Sequence, residues 1–300
     1  MLFYIDQNII GLLLKNKIQF SQSDDFTWIY SKEHLREIER SKNPERFLSV
    51  LKNLNARMLN LTFKDDFNGT KILSSVDHLD PFDQYEKYIQ AVSELSIDDS
   101  IFDPILCWIN SNKEKEILQE MPTDITNQFS KLLYNLFLNN QLENYINRLQ
   151  LNLEKSVNDL LSQNNDIHNT RRALGFKKGN INNIDSKNAI EEMWKIIYPN
   201  LGDHDISCDH FFGFKPNNVH DEDTKLYLGI IGCNAVMDVL GYQSEKKCRR
   251  KSRINNVKSD ANHIASAAFC SAIFSEDKKL INRAKAIYSY KKILTKPFLV

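Results

Sequence analysis

Residues 260–288 read DANHIASAAFCSAIFSEDKKLINRAKAIY, and three patterns follow one another within them. Asp260 opens an Ala-rich run, 260–270, whose small residues recur at helical spacing. Residues 273–275 form a short apolar run that reads as a buried strand, and Asp277 stands at its end. Residues 279–287 return to helical spacing, with Leu280, Ile281, Ala284 and Ile287 on one side. A helix, a strand and a helix in direct succession are the unit from which parallel sheets are wound.

The same alternation recurs at the other end of the chain. Residues 2–5 are a short strand ending at Asp6, followed by a helix over 8–15. Residues 26–30 (FTWIY) read as a second strand. Ser31 then serves as an N-cap for the helical run KEHLREIER, with Glu33 in its first turn. A helix is predicted over 44–60, with Pro44 at its start, and short extended pieces at 61–63 and 71–74. The middle is polar and helical in period: 84–95, 100–120, a long run over 123–162 with a break at Asn139 and Asn140, and 187–197. Residues 200–220 read as a loop, 223–240 as a helix closed by Gly241, and 246–258 as a basic loop. The tail ILTKPFLV adds an edge strand. The expected fold is therefore α/β, with a three-layer, mostly parallel central sheet built from 1–64 and 221–300 together. Residues 65–220 are expected as a large all-helical insertion.

Three acids fall at strand ends or adjoining helix starts: Asp6, Asp260 and Asp277. A fourth, Glu37, lies two turns into the helix after the second strand. Groups at the carboxyl ends of neighbouring parallel strands share one crevice. Four carboxylates there repel one another, and a hard divalent cation such as Mg²⁺ or Mn²⁺ relieves that repulsion with oxygen ligands. Asp260 and Asp277 also suit plain helix N-caps. His263 lies one turn after Asp260 on the same helix face, where it could orient an acid or meet a phosphate. His34 reads as a surface or interface residue.

Three blocks carry a resemblance to a known family. FYIDQNII has an apolar strand followed by Asp-x-Asn, WIYSKEHLREIERS a strand, a Ser turn and a helical acid, and 260–288 the closing acid–helix–strand–Ser-x-Asp set. In that order they resemble the PIN-domain nucleases. The resemblance covers roughly 1–60 and 221–295. It implies a metal-dependent endonuclease acting mainly on RNA, with Asp6, Glu37, Asp260 and Asp277 as metal-holding and catalytic acids. Glu37 is preferred over Glu33 and Glu39 because it lies six residues after Ser31, as in the family. Asn8, Ser31 and Ser275 fall on positions that orient the acids. Ser271 departs from the pattern, since many members carry an acid there. The resemblance extends to toxins and phage-defence effectors, while the scattered cysteines suggest a reducing, cytoplasmic setting.

Charge is segregated. The chain carries 39 Lys+Arg and 39 Asp+Glu. Residues 245–300 hold 14 Lys/Arg against 4 Asp/Glu, and the remainder 25 against 35. The run EKKCRRKSR places Lys246, Lys247, Arg249, Arg250, Lys251 and Arg253 just before the Asp260 helix, a surface suited to a phosphate backbone. Its partner would be RNA, such as tRNA or single-stranded RNA. Phe211, Phe212 and Phe214 could stack on bases but read first as core. The leucine and phenylalanine stripe over 131–161 suits packing within the insertion, a homodimer or a regulatory protein partner. His204, Cys208 and His210 offer zinc-like chemistry at a spacing that fits no standard zinc framework.

Other classes are disfavoured. Neither G-x-G-x-x-G nor a P-loop motif occurs. The opening MLFYIDQN has no basic region and is interrupted by Asp6, so it does not read as a signal peptide. No run reaches about 18 uncharged apolar residues, so no membrane span is expected. The five cysteines are scattered, as in a reducing compartment. An alternative function is a PIN-like fold without catalysis, serving as an RNA-binding or partner-binding assembly module.

Overall fold

A computed structural model describes residues 1–20, 23–66, 69–94, 115–134, 140–162, 167–176, 181–202, 205–217, 219–244 and 251–300. In chain order the first part holds β1 (Leu2–Ile5), α1 (Gln7–Leu14), β2 (Thr27–Ser31), α2 (Lys32–Glu39) and α3 (Pro44–Asn53). Next come β3 (Arg57–Asp66), β4 (Gly69–Asp77) and α4 (Pro81–Glu94). The polar middle holds α5 (Lys115–Tyr134), α6 (Asn140–Ser162), α7 (Ile167–Ala173), α8 (Ala189–Ile197) and the short α9 (Cys208–Phe211). The chain closes with α10 (Glu222–Leu240), α11 (Lys251–Ala267), β5 (Ala272–Ser275), α12 (Lys278–Lys291) and β6 (Lys296–Leu299).

The six strands form one sheet in the order β4-β3-β2-β1-β5-β6. All neighbours are parallel except the β3–β4 hairpin. The first strand of the chain is thus central, and it pairs directly with β5, with Tyr4 opposite Ile273. Side chains alternate across the sheet with period two. Tyr4, Ile29, Leu59 and Ile273 face one layer, where they meet Ile190 and Met193 of α8, Met237 of α10, Ile264 of α11 and Ala284 of α12. Ile5, Trp28 and Tyr30 face the other, against Ile9 and Ile10 of α1, Leu35 and Ile38 of α2, and Leu48 and Leu51 of α3. Helices on both faces of a mostly parallel sheet make three layers, as expected from the alternation at both ends.

Several local expectations are corrected. The helix from Pro44 stops at Asn53 rather than near residue 60, because Asn55 takes a left-handed turn (φ 51°) and Arg57 enters β3. The two short extended pieces are one long hairpin, pairing from Met58–Asp77 to Asp66–Gly69. Residues 65–220 are consequently not all helical, since β4 belongs to the sheet. Its later part is not separate either: Ile181, Ile190, Phe212 and Phe214 lie in the same core as Tyr4 and Ile273. Phe212 and Phe214 are therefore packing residues. What does stand apart is the helical hairpin, in which Leu118, Met121 and Ile125 of α5 meet Val157 of α6 in a small cluster of their own. Residues 251–258 are not loop as expected. From Lys251 the chain is already helical, so Asp260 sits inside α11 rather than at its start.

Helix ends are specified by side chains. Asp277 caps α12, its Oδ1 accepting from the backbone of Lys279 and Leu280. Asp221 caps α10 through Thr224. Gly241 closes α10 at φ 88°, and a Cβ there would come within 2.9 Å of Arg171 Cζ.

Candidate active site

At the carboxyl edge of two neighbouring parallel strands, Asp6 follows the last residue of β1, and β5 ends at Ser275, two residues before Asp277. The Asp6 backbone N–H donates to Phe274 at 2.9 Å, which fixes the two strand ends side by side. Asp6 is almost fully buried (2% exposed). Its Oδ2 accepts from Ser275 Oγ at 2.7 Å and from Asn8 Nδ2 at 3.0 Å. Ser275 Oγ in turn accepts from the Asp277 backbone at 2.9 Å. Burial lifts the Asp6 carboxyl above its ordinary value, Glu37 adds to the lift, and His263 and Ser275 oppose it. Asp260 rises well above the usual carboxylate range, first through burial and then through the charges of Asp6 and Asp277. Carboxylates from opposite ends of the sequence thus load Asp260.

Helices α2 and α11 close the crevice and meet turn for turn. Glu33 accepts from Ser259 Oγ and from Asn262 Nδ2, and one turn on, Glu37 accepts from His263 Nε2 at 3.1 Å. The same His263 nitrogen lies 3.6 Å from Asp6 Oδ1. Its other nitrogen meets Tyr4 OH at 2.7 Å, and that hydroxyl reaches Ser31 Oγ at 2.8 Å. Burial works against charge on His263, but Glu37 and then Asp6 outweigh it and raise the imidazole to about 9. Burial likewise disfavours the Glu37 carboxylate, yet His263 draws it down to about 2. Glu37 and His263 are therefore an ion pair at neutral pH.

His34 is a correction. It is not a surface residue but fully buried, its Nε2–H donating to the Ile5 carbonyl at 2.6 Å and its Nδ1 accepting from the Ser31 backbone at 3.0 Å. Burial, and then the charge on His263, push it down to about 3, so it is the neutral partner of that pair. It braces the end of β1 from beneath.

The structure thus brings together Asp6, Asn8, Ser31, Glu37, His263 and Ser275 by direct contacts, and couples Asp260 and Asp277 to them electrostatically. Tyr4 and Glu33 were not singled out from the sequence. The spacing signal existed: Glu33 and Glu37 are four apart, as are Ser259 and His263, which places each pair on one helix face. Ser271 lies at the opposite end of β5, donating its N–H to Leu2 and accepting from Lys296, so its identity says nothing about the acids. Lys246, Lys247, Arg249 and Arg250 lie outside the described residues. Lys251 and Arg253 lie on the first turn of α11, with Asp260 about 14 Å further along the axis.

The donor set, carboxylate oxygens converging at one edge of the sheet, has the chemistry a hard divalent cation requires. Among the described residues, however, no three His, Cys, Asp or Glu side chains are gathered closely enough to form a ready metal cage. This includes Cys208 and His210, while Asp203 and His204 lie outside the described residues. Asp209 between them accepts from Tyr290 OH at 2.9 Å, tying that loop to α12. Cys208, Cys233 and Cys270 are free thiols. Among the described residues no helix is long and apolar enough to cross a membrane. No family model, no curated protein and no solved structure matches the chain.

Proposed function

We propose that this chain is a PIN-like, metal-dependent endoribonuclease. The observation that carries the reading is the convergence of acids at one edge of the sheet: Asp6 follows β1, Asp277 follows the neighbouring β5, and both load Asp260 of α11. Buried like charges raise the free energy of the fold, and they are kept where a cation or a developing charge uses them. Asp6, Glu37, Asp260 and Asp277 would hold one or two Mg²⁺ or Mn²⁺. When bound, such an ion neutralises charge developing on a phosphodiester and lowers the pKa of water. Asn8 and Ser275 fix the carboxylate plane of Asp6. His263 orients Glu37, and Tyr4 and Ser31 hold His263 in place. The cations of 246–253 would take the RNA backbone, and the α5–α6 hairpin offers a surface for a second copy or a regulatory protein. A toxin or phage-defence role follows from the resemblance alone.

The test is cleavage of labelled tRNA and single-stranded RNA with Mn²⁺ and with EDTA, wild type beside Asp6→Asn. Metal-dependent cutting that falls by about 10²-fold or more in the variant is the expected result. Cutting that survives the substitution would place the chemistry elsewhere.

One observation favours a second reading. The His263 side chain lies between Asp6 and Glu37, so an internal cation already answers two of the four acids. A module that binds RNA without cutting it would use the fold in this way. Its mark is RNA affinity unchanged by EDTA, with no cutting in any divalent metal.

A further inference from the structure

The four acids do not have equal oxygens to offer. Asp277 commits Oδ1 to the backbone of Lys279 and Leu280, and its Oδ2 accepts no hydrogen bond among the described residues. Asp260 accepts none either, and it feels the charges of Asp6 and Asp277. Asp6 commits Oδ2 to Ser275 and Asn8. Glu37 is different, because an imidazole stands in front of it. Its Oε2 lies 3.1 Å from His263 Nε2, and that nitrogen is 3.6 Å from Asp6 Oδ1. The ring is held from behind: His263 is 1% exposed, its Nδ1 meets Tyr4 OH at 2.7 Å, and Ser31 Oγ fixes that hydroxyl at 2.8 Å. The other acid on the same face of α2, Glu33, is bound to Ser259 and Asn262. That face of α2 is therefore spent on holding α11.

A hard divalent ion holds carboxylate oxygens at about 2.1 Å, and two-ion sites set their metals roughly 3.5–4 Å apart. An ion shared by Glu37 and Asp6 would need the space in which the His263 ring stands. We propose that Glu37 is a positioning residue rather than a metal ligand, and that the crevice holds a single divalent ion, on Asp6, Asp260 and Asp277. The proposal rests on the metal-dependent reading above and narrows its four acids to three. Glu37 holds the His263 ring, and the ring fills the place a second ion would take.

The experiment counts ions on the full chain, with Mn²⁺ alone as the probe. Titration calorimetry and the paramagnetic-resonance signal of free Mn²⁺ give number and affinity for wild type, Glu37→Gln, Glu37→Asp and Asp260→Asn. Glu37→Asp keeps the charge and withdraws the oxygens by one methylene. Wild type and Glu37→Asp should each bind one ion, with affinities within about 10-fold of each other, and Glu37→Gln should also bind one. Asp260→Asn should weaken binding by more than about 10-fold. In metal-free spectra of ¹⁵N-histidine-labelled protein, the His263 ring signals should move in Glu37→Gln, which a Glu37 that merely filled space would not cause. Two ions on wild type, a loss of more than about 10-fold in Glu37→Asp, or His263 signals untouched by Glu37→Gln would overturn the inference and leave the metal-dependent reading standing. One ion held as tightly by Asp260→Asn as by wild type would overturn the assignment of ligands. No Mn²⁺ bound by wild type would overturn the inference and the metal-dependent reading together.

Discussion

His34 and His263 have ring centroids 4.6 Å apart and titrate in opposite directions, because only one of them faces carboxylates. His34, at about 3 in the fold against 6.5 unfolded, stays neutral when the unfolded chain takes up a proton. Its contribution to stability is present above pH 6.5 and lost as pH falls toward 3. His263, at about 9, contributes fully below 6.5 and loses that contribution as pH rises through 9. The Tm gap between wild type and His34→Asn should therefore narrow from pH 7 to 4, and that for His263→Asn from pH 6.5 to 9. Thermal scans across pH check both, and parallel curves would refute the assignment. Asp260 makes a complementary case. Its raised carboxyl means that folding is opposed as pH climbs above the unfolded value of 3.8. Asp260→Asn should stabilise the fold at pH 8 by about 1 kcal/mol or more, roughly 2–4 °C per kcal/mol, and, on the proposed activity, abolish cutting. A Tm that falls instead would mean that the carboxylates do not repel.

Elements in the second layer are tied by charge as well as by apolar contact. Arg283 of α12 is paired with Asp238 of α10, both buried, and it also donates to the Tyr242 carbonyl at 3.1 Å. Arg171 of α7 donates to the carbonyls of Asp238 and Val239 at the same helix end. Removing Arg283 alone strands a buried carboxylate, so Arg283→Met should cost about 3–5 kcal/mol, whereas Arg283→Met with Asp238→Leu should cost much less. Denaturant titration of the double-mutant cycle measures the difference, and additive losses would sink the argument. The elements also show what was legible in advance. Asp6 and Asp277 each end a short apolar run, and that pattern marks a strand end wherever it occurs. Asp260 was misread as a helix opener because its own helix begins in the polar, basic stretch at Lys251, where no apolar period announces it. The β3–β4 hairpin was reduced to fragments because Asn60, Lys64, Ser74 and Ser75 give it the composition of a surface loop. It is a strand pair because the backbone ladder runs its whole length and Ile72 is buried against α10, its N–H donating to Thr224 Oγ1 at 2.9 Å. Glu33 went unread because its value depends on how α2 docks against α11, a tertiary fact that no local window contains.

Over the whole molecule, β1 lies at the centre of the sheet, and its partner on one side, β5, is supplied only near residue 272. Pairing of β1 with β5 is long-range, and loop closure makes such pairing slow. A chain ending at Cys270 lacks β5, β6 and α12, which leaves one edge of β1 and the faces of Ile264 and Met237 bare. That truncation should lose its cooperative thermal transition and bind a hydrophobic dye. A sharp transition near the full-length Tm would show that the first part folds alone. The same topology has a temporal side. Ribosomes add roughly 5–20 residues per second, so Asp6 emerges on the order of tens of seconds before Asp277. For nearly all of that interval β5 is missing, so one edge of β1 beside Asp6 has no partner strand and the crevice cannot form. On the proposed activity, the enzyme is silent while residues 1–277 are being made, and cutting waits on the emergence of Asp277.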